Sequence, residues 1–397
     1  MSEFKASGFR DEFGSGGPDL VGITTMTSPY YFVPPSGSTA ERPQSPPPGM
    51  LRFNTDIGRL EVWRNDHWGA IVGESPNLGI STAAAGSSAA GTGTRGLFAG
   101  GYLVSPHPSP GSCTDQVDYI TVETLGNALD FGDLADARHV GGQCADRTRA
   151  IYAGGRGPTT PGGSDTANIT FTTIASTGDY ADSGFDLSAA VGARGTSNST
   201  RGLFGSTVFP YTDTIDYVTI QSLGNAQDFG NLTEVRGYGM ALSSPVRGVF
   251  LGGINNPTNL GTNVIDYVTI SSTGNAQNFG DLYDGTAYES GCANSPTRGV
   301  IAGGTGNTDL MEFITIATTG NSQNFGDLDT LQNSGKGGTS SYTRGVFAGG
   351  LGSPAPATVN TIEYITIAAT GNALDFGDLQ QAKRIANSGV SNGHGGL

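Results

Sequence analysis

The sequence predicts an all-β protein, in which a six-bladed β-propeller follows a small N-terminal β-meander. The first observation is a repeat: a segment of the form Thr/Val-Arg-Gly/Ala-hydrophobic recurs at intervals of about 50 residues, a period typical of propellers. The second is composition, because charged residues make up only 14% of the 397 residues and glycine fills 64 positions. Glycine is unfavourable inside helices, whereas many short strands joined by tight turns suit this composition.

Residues 1–72 differ from the rest of the chain and are predicted to form an attachment module. A Pro-rich, extended arm at 34–49 precedes 51–72, where the pattern predicts three strands joined by a TDIG turn and an RND turn. So few strands are marginally stable alone, so we expect them to pack on another protein or on copies of themselves. The residues predicted to form the apolar side are Leu51, Phe53, Leu60, Val62 and Trp68.

Residues 73–93, rich in Gly, Ser and Ala, are predicted to be a linker, and residues 94–397 to be the propeller. Each of its six units is predicted to have four strands. The second strand ends in Gly-Gly, as in GVFLGG at 248–253, and the third is apolar on both faces, as in IDYVTI at 215–220. A strand with two apolar faces is typically covered by sheets on both sides. A Gly-Asn turn then leads to a short fourth strand such as DFGDL at 130–134.

The first strand of each unit is less regular, and the sequence offers one candidate segment too many for it. The extra segment lies at 81–91 or at 384–393, and we favour the C-terminal one, which would complete the first unit. The paired glycines are expected to allow close approach of neighbouring backbone. The aromatic residues of strands three and four are expected to fill the space between units. Two units depart from the pattern, through Gly205-Ser206 in place of Gly-Gly and through a longer segment before Phe185.

The pattern over residues 81–397 resembles the kelch repeat. It shares the apolar strand that ends in Gly-Gly and the aromatic residues on strands three and four, although Phe stands where kelch repeats usually have Trp. An arginine near the start of strand one also matches, at Arg138, Arg236 and Arg384. The resemblance implies a kelch-like β-propeller and says little about function.

One arginine at the start of strand two recurs in every unit. It has two interpretations: a ring of charges that binds an anionic sugar, or a structural link to an Asp side chain or a main-chain carbonyl. We favour the structural link, because binding sites in propellers are usually asymmetric. The six residues are Arg95, Arg149, Arg201, Arg247, Arg298 and Arg344.

Charge and cysteine content exclude several classes of function. The net charge of −15 disfavours nucleic acid and bare anionic membranes as ligands. The three cysteines, Cys113, Cys144 and Cys292, are odd in number and far apart, so no disulfide framework is expected. No signal peptide and no membrane-spanning segment are predicted.

No pattern for catalysis or for a cofactor stands out. The four histidines, His67, His107, His139 and His394, include no pair at metal-ligand spacing. Phosphate-binding and dinucleotide-binding fingerprints are missing as well. We therefore expect no catalytic site, no metal and no cofactor, while two carboxylates distant in sequence stay open as a glycoside-hydrolysing pair.

The loops between strands two and three vary most and are the expected place for a ligand, because recognition concentrates on loops held by a fixed scaffold. Two of them, at 102–116 and 207–213, contain residues suited to stacking on a sugar ring. Packing within the long loops is the alternative role for these side chains. The candidate ligand-binding residues are Tyr102, His107, Phe209 and Tyr211.

The phrase SGSTAERP at 36–43, followed by PGMLRFNTDIGRLEVW at 48–63, is similar to the start of many tail-fibre-like and other structural proteins of marine phages, including cyanophages. The resemblance implies a virion protein, made in the host cytoplasm, that joins other virion proteins through residues 1–72. We expect a tail fibre or appendage whose propeller contacts host-surface glycan or neighbouring virion proteins. The alternatives are a capsid or tail decoration or connector protein without a ligand, and a propeller hydrolase acting on host polysaccharide.

Overall fold

The structure is a computed structural model, and the prediction of an all-β chain is confirmed in the residues it describes. Apart from one short 3-10 helix, the regular elements there are strands. The chain forms two compact units, Met1–Thr82 and Ala83–Leu397. The described residues are 35–44, 46–47, 49–56, 59–64, 67–70, 94–103, 112–158, 165–208, 210–256, 258–283, 289–304, 308–352, 357–385 and 389–397.

The first unit contains a four-stranded sheet in the order β1-β2-β3-β4. Strands β2, β3 and β4 pair in antiparallel fashion as the predicted meander, and β1 adds a parallel neighbour to β2. The elements are β1 (Ser36–Gly37), the 3-10 helix η1 (Thr39–Glu41), β2 (Leu51–Asn54), β3 (Arg59–Trp63) and β4 (Trp68–Ala70).

The side chains that this meander buries are polar: Arg52, Asn54 and Glu61, at 5%, 0% and 0% exposure. The side chains predicted to form its apolar side are exposed or half-buried: Leu51, Phe53, Leu60, Val62 and Trp68.

The reason is that residues 36–42 cover the polar face and complete its hydrogen bonds. The Glu61 carboxylate accepts from Arg42 Nε at 3.1 Å, from Arg52 Nη1 at 3.2 Å and from Asn54 Nδ2 at 3.2 Å, and Arg52 Nη2 donates to Ser38 O at 3.1 Å. A charge is tolerated in a buried place when it is paired and hydrogen-bonded. The hydrogen bonds from Arg42 hold the pKa of Glu61 below its ordinary value.

The second unit is built from six antiparallel sheets in the described residues, here sheets I to VI. Their strands, in chain order, are β5 (Arg95–Leu103), β6 (Ser112–Thr121), β7 (Leu129–Asp133), β8 (Gly142–Ala145), β9 (Arg149–Ala153), β10 (Asn168–Thr173), β11 (Ala181–Asp186), β12 (Gly192–Ser197), β13 (Arg201–Val208), β14 (Thr212–Thr219), β15 (Gln227–Gly237), β16 (Met240–Ser243), β17 (Arg247–Leu251), β18 (Ile254–Asn255), β19 (Val264–Thr269), β20 (Gln277–Asp281), β21 (Gly291–Asn294), β22 (Arg298–Ala302), β23 (Thr308–Thr315), β24 (Gln323–Ser334), β25 (Gly337–Ser340), β26 (Arg344–Ala348), β27 (Leu351–Gly352), β28 (Thr361–Thr366), β29 (Leu374–Asp378) and β30 (Val390–Ser391).

Each sheet has the four predicted strands in their predicted order. The orders are β30-β5-β6-β7 in sheet I, β8-β9-β10-β11 in sheet II, β12-β13-β14-β15 with β18 at the edge in sheet III, β16-β17-β19-β20 in sheet IV, β21-β22-β23-β24 with β27 in sheet V, and β25-β26-β28-β29 in sheet VI. The first strand of sheet I is the C-terminal β30, where Val390 lies opposite Leu97. The C-terminal segment therefore supplies the extra first strand, as we expected.

The first strands of successive sheets lie beside one another. Strand β8 contacts β12, β12 contacts β16, β16 contacts β21, β21 contacts β25, β25 contacts β30, and β30 contacts β8. The core lies between neighbouring sheets, as where Phe131 of sheet I packs with Tyr152 and Ile174 of sheet II. The fourth-strand aromatics fill this space as predicted, except that Phe185, in the longer segment of sheet II, is 37% exposed.

The Gly-Asn turns, and the Gly178-Asp179 turn of sheet II, join each sheet to the one before it. In each case the residue after the Phe-Gly pair, or after Phe185 in sheet II, donates its main-chain N–H to a side-chain oxygen in the next turn. The donor and acceptor pairs, at 3.0–3.1 Å, are Asp133 with Asp179, Asp186 with Asn225, Asn231 with Asn275, Asp281 with Asn321, Asp327 with Asn372, and Asp378 with Asn127. The last pair runs from sheet VI back to sheet I.

The paired glycines are required by close backbone contacts, as predicted. Gly154 has a φ of 67°, and a Cβ there would lie 2.3 Å from the Val191 carbonyl oxygen. In sheet III, Ser206 rather than Gly205 takes the place of the first glycine, with a φ of 52°. Its hydroxyl accepts a hydrogen bond from Gly239 N at 3.0 Å, which helps to hold this uncommon conformation.

The recurrent arginine is a structural link, which confirms the interpretation favoured from the sequence. Each guanidinium donates through Nη1 to a main-chain carbonyl of the following sheet at 2.9–3.1 Å and lies over an aromatic ring of its own sheet at 4.4–4.9 Å from the centroid. The arginine and carbonyl pairs are Arg95 with Ile174, Arg149 with Ile220, Arg201 with Ile270, Arg247 with Ile316, Arg298 with Ile367, and Arg344 with Val122.

Replacing Arg247 with alanine is expected to lower the free energy of unfolding by about 2 kcal/mol, because it removes a charged hydrogen bond and a cation–π contact. Urea denaturation measures the change. The control is Arg147→Ala, since Arg147 is exposed and donates only one long hydrogen bond, to Tyr342 Oη at 3.3 Å. Unchanged stability together with loss of ligand binding would show that Arg247 belongs to a ligand-binding site instead.

Candidate functional site

The structure describes two of the four predicted ligand-binding residues; His107 and Phe209 lie outside the described residues. Tyr102 is half-buried, and its ring centroid lies 5.0 Å from that of His139. Tyr211 is half-buried as well and meets Tyr238 edge-on at 6.0 Å. Both tyrosines lie at the end of the second unit where second strands end and first strands begin.

Main-chain hydrogen bonds fix the backbone at this end. Tyr102 and Arg384 exchange two N–H···O bonds of 2.9 and 3.0 Å, and His139 and Arg156 exchange two of 3.0 and 2.9 Å. A further main-chain hydrogen bond, of 3.0 Å, runs from Glu289 N, before β21, to the carbonyl of Tyr238, before β16. Because these residues precede or follow strands of several different sheets, their side chains meet only when the sheets assemble.

Three arginines converge here, and with Glu289 they are called the arginine cluster: Arg156, Arg194, Arg384 and Glu289. The Glu289 carboxylate forms an ion pair with Arg384 Nη2 and lies 4.0 Å from Arg194 Nη2. Arg156 Nε pairs with Asp165 at 3.1 Å. Counting the described residues alone, these three guanidinium groups have two carboxylates as ion-pair partners, Glu289 and Asp165, within a chain of net charge −15.

The cluster is buried on one side and open on the other. Arg194 is 1% exposed; its Nε donates to Gly239 O at 2.9 Å, while its Nη2 has no hydrogen-bond partner among the described residues. Burial lowers the pKa of Arg194 to about 10, so it stays charged at neutral pH. The side chains of Arg156 and Arg384 are 31% and 27% exposed and reach solvent.

The arginines set the electrostatics of the neighbouring rings. Burial, reinforced by the positive charges of Arg384, Arg156 and Arg194, lowers the pKa of His139 to about 4. Burial raises the pKa of Tyr238, and the same three arginines oppose that rise. Both rings are therefore neutral at pH 7 and offer hydrogen-bonding groups and apolar faces beside fixed positive charge.

Backbone strain accumulates at the same end. Val140, Tyr238 and Glu289 have φ values of 54°, 56° and 55°, in the left-handed region that residues other than glycine rarely adopt. Such a conformation costs on the order of 1–3 kcal/mol per residue and is found most often at ligand-binding and switching sites. Here it aims Glu289 at Arg194 and Arg384.

A cysteine and a histidine meet at the edge of the cluster, with Cys113 Sγ 3.1 Å from His139 Nδ1. Burial raises the pKa of Cys113 to about 11, and the pKa of His139 is lowered to about 4. A nucleophilic cysteine needs the opposite shifts, which produce a thiolate beside an imidazolium. At neutral pH this pair is a neutral thiol and a neutral imidazole.

Similarity to known proteins does not assign a role to this site. No protein-family model matches the chain, and no curated protein shows significant similarity to it. Within the described ranges, no group of three His, Cys, Asp or Glu side chains is placed to hold a metal ion. In that same part of the chain, no helix is long and apolar enough to cross a membrane.

Most of the cluster carries no signal in the sequence. Arg156, Arg194 and Glu289 do not recur between repeats, and the sequence places Arg384 with Arg138 and Arg236 as a strand-one arginine. Those two are buried inside their sheets, but the buried cation of sheet I is the preceding residue, Lys383, 2.9 Å from Asp118. A charged residue directly after Gly-Gly, as at Arg156, is the one available sequence signal.

The C-terminal residues cover the opposite ends of the first strands. His394 Nε2 bonds to the Ala145 carbonyl at 2.9 Å, Gly395 N donates to Asn294 O at 3.0 Å, and Tyr342 Oη donates to Leu397 O at 2.5 Å. The tail thereby joins sheets II, V and VI. Burial lowers the pKa of His394 to about 4.

The free energy of unfolding is expected to fall as the pH drops from about 6.5 to about 4, since His394 titrates lower in the folded chain than in the unfolded one. In that window the unfolded state binds more protons, so acid favours unfolding. His394 should contribute a loss of about 2 kcal/mol between pH 7 and pH 5. Denaturation of His394→Gln at both pH values should show a smaller loss, with His67→Gln, at an exposed histidine, as control. An unchanged pH dependence in His394→Gln would contradict this assignment.

Proposed function

We propose that sheets I to VI are the blades of a six-bladed, kelch-like β-propeller. Three repeated connections support it: the contacts between first strands, the hydrogen bonds to the Gly-Asn turns, and the arginine links. Each runs from one sheet to the next along the chain and returns from sheet VI to sheet I. Pairing of the C-terminal β30 with β5 adds a fourth support, because it ties the end of the repeat to its beginning.

The chain is, in this proposal, a phage virion protein that residues 1–72 attach to other virion proteins. The phrase shared with marine phage structural proteins supports it, since its residues Arg42, Arg52, Asn54 and Glu61 form one hydrogen-bonded group. The half-buried apolar side of the meander supports the attachment role, because exposed apolar surface of this kind commonly marks contact with a partner.

The propeller of this tail fibre or appendage binds host-surface glycan, and its role is binding rather than catalysis. The observation that carries this proposal is the arginine cluster beside Tyr102 and Tyr211, at the end of the sheets where the variable loops lie. A few converging polar groups next to aromatic faces are the usual composition of a small-ligand site. The neutral protonation of Cys113 and His139 fits a binding role.

A glycan array probed with the full chain tests the proposal, and saturable binding of particular glycans is the expected result. A cryo-electron map of the particle gives the second test, with the end that carries Tyr102 and Tyr211 expected to face outward. Absence of binding, with that end covered by virion neighbours, would favour a decoration or connector protein instead. Release of reducing sugar from a bound polysaccharide would show that the propeller is a hydrolase rather than a binding protein.

A further inference from the structure

We infer that the arginine cluster is a subsite for a sugar carboxylate, so that the glycan bound here is an acidic one. This inference rests on the proposed glycan-binding function and adds the chemical class of the ligand. It is carried by four features of the same place among the described residues: fewer carboxylates than guanidinium groups, a buried guanidinium with a nitrogen that makes no hydrogen bond, neighbouring aromatic rings, and strained backbone.

Among the described residues, the cluster holds fewer carboxylates than guanidinium groups. Two buried cations of other sheets each lie close to a buried carboxylate, Arg236 at 3.0 Å from Asp266 and Lys383 at 2.9 Å from Asp118. In the cluster, Glu289 serves both Arg194 and Arg384. A further carboxylate from a ligand would bring the three guanidinium groups to a one-to-one balance with Glu289 and Asp165.

Arginine is suited to binding a ligand carboxylate because its planar guanidinium can donate two parallel hydrogen bonds to it. The accessible members, Arg156 and Arg384, present partly exposed guanidinium groups. Arg194 adds a buried positive charge that is screened little by solvent; its Nη2 lies 4.0 Å from the Glu289 carboxylate and makes no hydrogen bond in the described part of the chain. A net charge of −15 repels acidic polymers at long range, so attraction to an acidic glycan must come from a local group such as this one.

The aromatic rings favour a sugar over a bare anion. Tyr102 shares main-chain hydrogen bonds with Arg384, and His139 shares them with Arg156. The ring centroids of Tyr102 and His139 lie 5.0 Å apart, so a pair of aromatic rings is carried by the two residues whose main chains bond to the exposed arginines. A pyranose ring has an apolar face and, in a uronic acid, a carboxylate at its edge, which matches this arrangement.

The test is binding of the full chain to oligosaccharides of galacturonate, glucuronate, mannuronate and N-acetylneuraminate, each compared with its methyl ester. The ester keeps the sugar and removes the charge. At least one acid should bind, with its ester weaker by about tenfold or more, as expected for loss of a hydrogen bond to a charged group. Arg156→Ala and Arg384→Ala should each weaken binding of the acid by a similar factor, and added salt should weaken it further.

The control is Arg147→Ala, which removes the same charge from an exposed residue at the opposite ends of the strands and should leave binding unchanged. Arg384 contacts the buried Glu289, so the double variant Arg384→Ala/Glu289→Gln removes both charges in case the single variant is unstable. Arg156 pairs with the partly exposed Asp165, so Arg156→Ala is expected to fold. Denaturation midpoints show which variants are folded.

The possible failures are distinguishable. Binding of neutral glycans but of none of the acids would overturn the carboxylate subsite and leave the glycan-binding function in place. Binding of an acid that Arg156→Ala and the double variant do not weaken would place the subsite elsewhere. Equal binding of a hexaglutamate peptide would overturn the sugar as ligand class. Absence of any glycan binding would overturn the proposed function itself.

Discussion

Asp266→Ala is expected to lower the free energy of unfolding by about 3–5 kcal/mol, because it removes the buried carboxylate that faces a buried guanidinium. Arg236 would keep only the partly exposed Glu234, whose carboxylate lies 3.4 Å from its Nη1. Asp266 and Arg236 are both fully buried, with Arg236 Nη2 3.0 Å from Asp266 Oδ2. Asp266 also accepts hydrogen bonds from the main-chain N–H and the hydroxyl of Thr233, at 3.1 and 2.7 Å. Alanine removes all three interactions and puts nothing in their place. Guanidinium chloride denaturation at pH 7 measures the change.

The repeat provides a matched control in sheet III, where Asp216 holds the same strand position. Asp216 is 6% exposed and forms no ion pair with any described residue; it accepts from Ser188 N at 2.9 Å and Ser188 Oγ at 2.7 Å. Asp216→Ala should therefore cost only about 1–2 kcal/mol, the range for lost hydrogen bonds. Replacing both members of the pair, as Arg236→Met/Asp266→Leu, should restore much of the stability lost in Asp266→Ala. Equal losses of unfolding free energy in Asp216→Ala and Asp266→Ala would mean that the ion pair with Arg236 does not cause the loss in Asp266→Ala.

The contrast between these two aspartates shows which structural features can be predicted from the repeat and which cannot. The strand order, the glycine contacts, the aromatic filling and the arginine links were predictable, since each recurs at fixed spacing. The partner of the third-strand acid was not, because it comes from the irregular segment that precedes a first strand. Lys383 pairs with the acid of sheet I, Arg236, at the end of β15, with that of sheet IV, and Lys336 with that of sheet VI. The partner is thus a lysine in two sheets and an arginine in the third.

Two further features could not be predicted because they depend on contacts distant in sequence. Alternation along β2 and β3 correctly separates an apolar side from a polar one, but it does not show that the module itself buries the polar side. Arg42, which comes from outside the meander, covers that side by pairing with Glu61. In the same way Arg156, Arg194, Arg384 and Glu289 come from four parts of the chain, and only the arrangement of the sheets brings them together.

Gly377→Ala is expected to destabilise the chain far more than Gly126→Ala, although the two glycines have nearly the same φ, 147° and 145°. A side chain in this conformation costs on the order of 1–3 kcal/mol at either position. The two positions differ in the room they leave for a Cβ atom. A Cβ on Gly377 would be 2.5 Å from the Gly126 carbonyl oxygen, whereas a Cβ on Gly126 would meet no atom within 4 Å. Overpacking against backbone should add about 1–3 kcal/mol to Gly377→Ala alone.

This pair of variants also tests how the sheets are arranged, since Gly377 belongs to sheet VI and Gly126 to the turn of sheet I. The extra cost exists only if sheet VI lies against sheet I in solution, as a closed propeller requires. Both proteins would be unfolded in urea under identical conditions, with Gly280→Ala as a second probe whose close contact, at Gly320, joins sheets IV and V. Destabilisation by Gly280→Ala but equal, small effects of Gly377→Ala and Gly126→Ala would mean that neighbouring sheets pack as described while the sixth does not close on the first. Large effects of both Gly280→Ala and Gly377→Ala would support closure, because the junction formed by the two ends of the repeat would then resist a side chain as strongly as an internal one.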